Sequence, residues 1–489
     1  MRRPIGFLAT LATVLAAAQS TPAPPALAGP SAPAGTPAAA TTARGVVLPP
    51  AREVKLPNGA TLLLAERHDI PLITFHGLLR GGALADPAGR EGTAELTAEL
   101  LLKGAGKRTA RDIADAADGA GATLATSSGL EASGISARCL ARDQDLLIGL
   151  IRDALRSPTF PAEEFEKLRT QLVEQRKAEK EEPRSILGTY ALAFFLGAHP
   201  YGRPDGGDEG SLRRIAREDV LAFHRANYGA DRLILAVVGD FDARAMEGKL
   251  RAAFGGWQRC PGPAPAAPPT ERRTGRHVLL VDKPDAKQAY FWIGNLGISR
   301  TDPDRVALDV ANTAFGGRFT SMLNRELRTK SGLTYGARSG LTRWTQAGPV
   351  AITSFTKTET TGKAVDLALD VLARLRRDNL DAATLASVQA YIRGQYPPNF
   401  ETSGAVAGAM VDLARSGLGR DEIEGYLARI AATDSATVAR AIARVYPPGE
   451  DLTFVFIGDA AALRGAVSRY GPVTEVPISK PLLEALGGK

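Results

Sequence analysis

The sequence predicts an α+β fold built from two similar halves, and three observations carry that expectation. The first is a repeated passage. Residues 212–220 lead through a helical pattern to the apolar run 233–238 and Gly239-Asp240; residues 427–434 lead through a second helical pattern to 452–457 and Gly458-Asp459. The copies lie 215 to 219 residues apart, an offset that fits a duplicated domain and not a short solenoid repeat. The second observation is the change of period within each copy. Leu212, Ile215, Val220 and Phe223 share one helical face, whereas 233–238 is a compact apolar strand. The third is that each half opens with strand-like runs, 61–64 and 277–281, with Asn58-Gly59 as a hairpin turn ahead of the first. Strands, then helices, then a returning strand predict a mostly antiparallel sheet covered by helices in each half.

The rest of the chain supplies boundaries. Met1-Arg2-Arg3 and the apolar run 6–18 read as a secretory signal peptide with cleavage after Ala18 or Ala28, and no cysteine lies near either site to take a lipid. We assign 1–28 to the signal, 29–48 to a Pro/Ala-rich linker, 49–258 to the first domain, 259–274 to an interdomain linker around the Pro/Ala stretch 261–269, and 275–475 to the second domain. A periplasmic or secreted location follows from that signal. No later stretch is apolar enough to span a membrane. The net charge of +7 on 489 residues is small and dispersed, which argues against a nucleic-acid partner. Cys139 and Cys260 could pair in an oxidising compartment, but nothing in the sequence brings them together.

Residues 92–104, Gly-Thr-Ala-Glu-Leu-Thr-Ala-Glu-Leu-Leu-Leu-Lys-Gly, resemble the helix that carries the inverted zinc motif H-x-x-E-H in the pitrilysin/insulinase/mitochondrial-processing-peptidase family. Ala94, Lys103 and Gly104 keep the family register, but the first His falls on Glu95, the base Glu on Ala98 and the second His on Glu99. Zinc hydrolysis needs two imidazoles one turn apart and a carboxylate to deprotonate bound water. The family's third ligand, a Glu about seventy-five residues on, falls on Gln175 beside Glu174, and a neutral amide is a poor ligand for this ion. This chain is therefore expected to bind no metal and to cleave no peptide by itself. Glu95 and Glu99 share a helix face and read as a solvated acidic surface, with Glu99 and Lys103 spaced i,i+4.

Other pieces stand in the family's order: 56–59 for the opening hairpin, His199-Pro200-Tyr201-Gly202, 237–240 for the strand that ends the first domain, and 315–320 followed by 325–335 for the second half's most recognisable block. The resemblance covers residues 52–472 and implies two homologous domains that form a clamshell chamber. It also implies roles for Arg328 and Tyr335, which match the Arg/Tyr pair that active members aim at substrate. The Tyr stabilises the developing oxyanion and the Arg binds substrate carbonyls, neither needing a metal of its own. Phe315-Gly316-Gly317 either lines the chamber or makes a tight turn. His199 has no i,i+4 partner and reads as loop packing.

Some family members divide the work between two chains. The expected function is thus a zinc-less subunit of a heterodimeric metallopeptidase that binds a short or unfolded peptide and supplies Arg328 and Tyr335 to a zinc-bearing paralogous partner. The alternative is an inactive scaffold or peptide-binding protein of the same fold.

Overall fold

The computed structural model describes residues 45–487; the proposed signal peptide and residues 29–44 of the linker lie outside them. The described chain is α+β with two six-stranded sheets. The first takes its strands in the order Ala51–Lys55, Thr61–Glu66, Leu233–Gly239, Leu72–Arg80, Ala132–Leu140 and Thr123–Ser128. The second runs Ala337–Arg343, Ala347–Lys357, Gln288–Leu296, Thr453–Gly458, His277–Asp282 and Val473–Pro477. Read from opposite ends, the two orders coincide except at one edge. There the first sheet adds an N-terminal strand antiparallel to Thr61–Glu66, while the second adds a C-terminal strand parallel to His277–Asp282. The remaining pairings are antiparallel apart from the returning strand of each half, which runs parallel to that half's opening strand.

Those returning strands explain how the halves are joined. Leu233–Gly239 and Thr453–Gly458 are buried at every residue, so each must be covered on both faces. One face of each sheet meets helices of its own half, giving two large apolar cores. The other face is covered by a helix lent by the opposite half. Pro183–Leu196 is apolar almost throughout and starts with Pro at its first turn. It lays Ile186, Leu187, Tyr190 and Ala191 against Leu279, Val281, Trp292, Val455 and Ile457 of the second sheet. Ser403–Ser416, capped by Thr402, returns the exchange by packing Val406, Ala407, Met410 and Val411 on Leu63, Ala65, Ile234, Ala236 and Val238 of the first. Cavities of about 340 and 440 Å³ lie between the halves beside the first sheet.

One local expectation needs correction. Leu212, Ile215, Val220 and Phe223 are all buried, but not on one helix. Glu209–Arg214 stops at an extended Ile215, and Arg217–Asn227 begins afresh where Asp219 accepts from the Ala216 N–H. The segment 259–274 carries no helix or strand, yet it is pinned: Arg232 donates to the carbonyls of Gly262 and Pro263, and Gln346 to that of Ala267. Cys139 and Cys260 are both free, one inside a sheet and the other at the start of this segment.

His199-Pro200-Tyr201-Gly202 sits at the joint. Tyr201 is 1% exposed, packs tilted against Trp344 of the second half with ring centroids 4.6 Å apart and donates to Glu131 at 2.5 Å. Glu131 also accepts from the Thr345 N–H and from Arg415 on the lent helix. His199 accepts from the Tyr201 N–H and reaches the Pro268 carbonyl, which is the loop packing expected of it.

Candidate functional site

Residues 93–100 form the helix on which the zinc motif would stand. Gly92 enters it in a left-handed conformation, φ 97°, and Asp86 from the preceding loop accepts from the Gly92 and Ala94 N–H groups at 2.8 and 2.7 Å. A carboxylate on the free N–H groups of a helix start is a favourable arrangement. Asp86 is only 5% exposed, however, and burial pushes its pKa up to about 8 against those two hydrogen bonds.

The pair that occupies the motif is an ion pair. Arg176, on the helix Ala162–Glu179, reaches Glu95 with Nη2 to Oε2 at 2.5 Å. It also donates to Glu179 at 2.7 Å and to the Gly206 carbonyl. Both side chains are largely withdrawn from solvent, at 15% and 21% exposure. Burial raises the Glu95 pKa while Arg176 opposes the rise. For Arg176 burial works against the charge, but Glu95 and Glu179 outweigh it and hold the guanidinium above its usual range. The backbone of Gly206 lies so close that a Cβ there would stand 2.1 Å from Arg176 Nη2 and 2.6 Å from Glu95 Oε2. A side chain there would push the tips of the pair out of the positions they hold.

The expectation of a solvated acidic face is therefore corrected. Glu99 does not ion-pair with Lys103, because the helix ends at Leu100 and Lys103 falls in the turn beyond. Burial raises the Glu99 pKa, with Lys103 and Arg176 opposing. Ala98, at the position of the base, is wholly buried. Gln175 turns to solvent and donates to Glu179, so the residue of that helix facing the motif is Arg176, one position later than counting places it. Helical periodicity carried the missing signal: Leu172 and Val173 are the buried face, and Arg176 continues it. The donor set does not suit zinc, since Glu95 is engaged by the Arg176 guanidinium and no imidazole stands at the motif positions. Among the described residues no cluster of His, Cys, Asp and Glu is gathered as a metal site.

The second half presents the opposite picture. Arg328 lies in a π-helical turn, Arg325–Lys330, and Tyr335 follows a tight return in which the Gly332 N–H donates to the Arg328 carbonyl. Tyr335 is 81% exposed, and Arg328 stacks on Phe319, its Cζ 4.6 Å from the ring centroid. No hydrogen bond or ion pair joins either residue to Glu95, Glu99 or Arg176 among the described residues. Phe315-Gly316-Gly317 belongs to another π-helical turn, Thr313–Gly317, and is a close approach: a Cβ on Gly316 would meet the Ser339 nitrogen at 2.2 Å. Such turns recur at functional sites. Asp86, Arg176, Glu179, Gly206 and Phe319 are residues of these regions to which sequence reading gave no role.

Comparison with known proteins agrees with this geometry. The profile of the insulinase family, peptidase family M16, matches residues 78–205, and that of the peptidase M16 inactive domain matches 214–391. A protein of Mycobacterium leprae described as an uncharacterized zinc protease is 29% identical over 71% of this chain and 78% of its own. Another so described from Streptomyces coelicolor is 27% identical over 88% of this chain and 91% of its own. In structure the chain is similar to a peptidase M16 inactive domain from Pseudomonas fluorescens (TM-score 0.78, 24% identity, 84% of this chain and 98% of that one). It is also similar to a protease from Helicobacter pylori (TM-score 0.77, 19% identity, 84% and 100%). The chain belongs to the insulinase, or M16, peptidase family, and with Glu95, Ala98 and Glu99 in the motif it is a non-catalytic member.

Proposed function

We propose that this chain is the zinc-less subunit of a secreted heterodimeric metallopeptidase. It binds extended peptide and lends Arg328 and Tyr335 to an active site whose zinc is held by a paralogous partner chain. The observation that carries the reading is the Glu95–Arg176 pair, an internal cation held on the residue that stands at the first ligand position of the motif. A chain so closed has no means of activating water, whereas its exposed phenol and guanidinium are free to donate to a substrate held elsewhere. In that role Tyr335 donates to the oxyanion as the scissile carbonyl becomes tetrahedral, and Arg328 holds neighbouring carbonyls of the peptide. The partner's zinc supplies the hydroxide.

The test is reconstitution with a zinc-bearing paralogue from the same genome, using a quenched fluorescent peptide library and metal analysis of each chain. Cleavage is expected only in the mixture, with zinc only on the partner. Tyr335→Phe is expected to lower kcat by roughly 100-fold, the loss typical of one oxyanion donor. Undiminished activity in Tyr335→Phe and Arg328→Ala would sink the role given to the pair.

A scaffold is the second reading, favoured by the exchanged helices and the Tyr201–Glu131–Arg415 network, which lock the halves together. Silence in every mixture, with a stable assembly, would select it.

A further inference from the structure

The edge strand Val473–Pro477 lies on the second sheet, and the Ile478 N–H still donates to the Asp282 carbonyl there. Residues 479–487 then cross to the first half. They make a single helical turn, Leu482–Ala485, that settles on the start of the helix Glu209–Arg214. Leu482 is buried in the apolar cluster of Ile186, Leu187 and Tyr190. Two polar ties complete the crossing. The Leu483 N–H donates to Asp208 Oδ2 at 2.8 Å, and Lys180 Nζ donates to the Lys480 carbonyl at 2.7 Å. Lys180 also pairs with Glu209, their side chains only 13% and 6% exposed.

What this segment covers leads to the Glu95–Arg176 pair. Asp208 serves two masters: Oδ1 caps Glu209–Arg214 by accepting from the Gly210 and Ser211 N–H groups, and Oδ2 holds the crossing segment. Two residues earlier, the Gly206 carbonyl accepts from Arg176. Leu482 is a wall of two cavities. One, of about 120 Å³, it shares with Arg176, Lys180, Tyr190 and Gly206; the other, of about 370 Å³, with Glu91, Arg203 and Leu486. One buried leucine and two polar ties are a light attachment beside the sheets, and such segments open locally at small cost. The Lys180 ammonium loses an acceptor when the segment leaves, so water must enter to replace it. We propose that residues 479–487 are a latch that lifts as a unit while both sheets stay folded. Lifting exposes Lys180 and widens access to Arg176, so the latch sets how dry the Glu95–Arg176 pair is. The latch is independent of the peptidase role.

The test uses the full chain. In native-state hydrogen exchange the Leu483 amide is expected to exchange roughly 100-fold faster than the amides of Thr453–Gly458, by local opening. Access to Lys180 is then read by mass spectrometry after brief treatment with a water-soluble acylating reagent, with the exposed Lys167 of the preceding helix as internal standard. A Cβ on Gly210 would stand 3.2 Å from Pro481 Cβ, close to the span that a disulfide bridges. Gly210→Cys with Pro481→Cys therefore gives a latch that oxidation shuts and reduction frees. Relative to Lys167, Lys180 labelling is expected to fall roughly tenfold when that pair is oxidised, and to rise roughly tenfold in Leu482→Ala, which weakens the closed state. A Leu483 amide as slow as those of the central strand overturns the latch, and that reading on the wild-type chain needs no variant to fold. Lys180 labelling that is the same in the oxidised and reduced forms overturns it as well.

Discussion

The former zinc helix and the Arg328–Tyr335 surface are the two regions where chemistry would be expected, and they are built in opposite ways. At the first, Glu95 and Arg176 are turned on each other. Glu95 is held by Arg176, Arg176 also by Glu179 and the Gly206 carbonyl, and Gly206 leaves no room for anything else. At the second, the one acid of residues 313–343, Glu326, is buried and used up, while Arg328 and the exposed Tyr335 keep donors that no carboxylate engages, Arg328 beside the exposed ring of Phe319. Burying a charge is costly without a partner, so a site that has lost its metal must be refilled from within. A surface that waits for a ligand can leave its donors in water at little cost.

The comparison can be broken most severely at Arg176. Arg176→Ala strands Glu95 in a buried position and is expected to cost about 3–5 kcal/mol, measured as a fall in the urea midpoint. The double variant Arg176→Met with Glu95→Gln removes both charges and is expected to recover most of it. A single variant as stable as wild type would mean that the pair is not what fills the site. Rebuilding the motif sharpens the same point. Glu95→His, Ala98→Glu and Glu99→His together are expected to bind little zinc while Arg176 remains, and close to one ion when Arg176→Glu is added, read by metal analysis after dialysis.

Asp86 offers a pH test of the same region. Its folded pKa of about 8 lies above the unfolded value near 3.8. The folded state therefore holds its proton more tightly, and the stability this contributes is present in full below pH 4 and lost as pH rises through 8. Glu95 and Glu99, also raised, act in the same direction. Stability measured between pH 5 and pH 9 is expected to decline, and Asp86→Asn to flatten the decline.

Smaller effects belong to the joint and to the open surface. Tyr201→Phe removes a buried hydroxyl from Glu131 and is expected to cost about 1.5–3 kcal/mol, with faster amide exchange where Trp344 meets the first half. Tyr335→Phe lies at the other end: with 81% of the residue in solvent, its stability is expected to shift by less than about 0.5 kcal/mol. A large loss of stability there would show that the phenol serves the fold.

The duplication was legible because each half repeats the same passage of helix and apolar strand, and so were the opening strands at Thr61–Glu66 and His277–Asp282. The erased zinc site could be read because a ligand's identity is a property of single side chains at fixed helical spacing. The break at Ile215 was hidden, since the apolar period runs through it and only the Asp219 cap marks the new helix. Gln175 was named in place of Arg176 because counting along the chain does not say which way a helix is turned.

The sequence by itself determined that there are two α+β halves, that no imidazole stands at the zinc-motif positions, and that Arg328 and Tyr335 stand at the family spacing. Local chemistry and short periodicities suffice for each of these. Only the tertiary structure decided that Arg176, 81 residues from Glu95, pairs with it. It also decided that each half lends a helix to the other, and that Arg328 rests beside the exposed ring of Phe319. These depend on the rotation of helices and on which faces need covering, and the free energy that settles them is shared among residues distant in the chain.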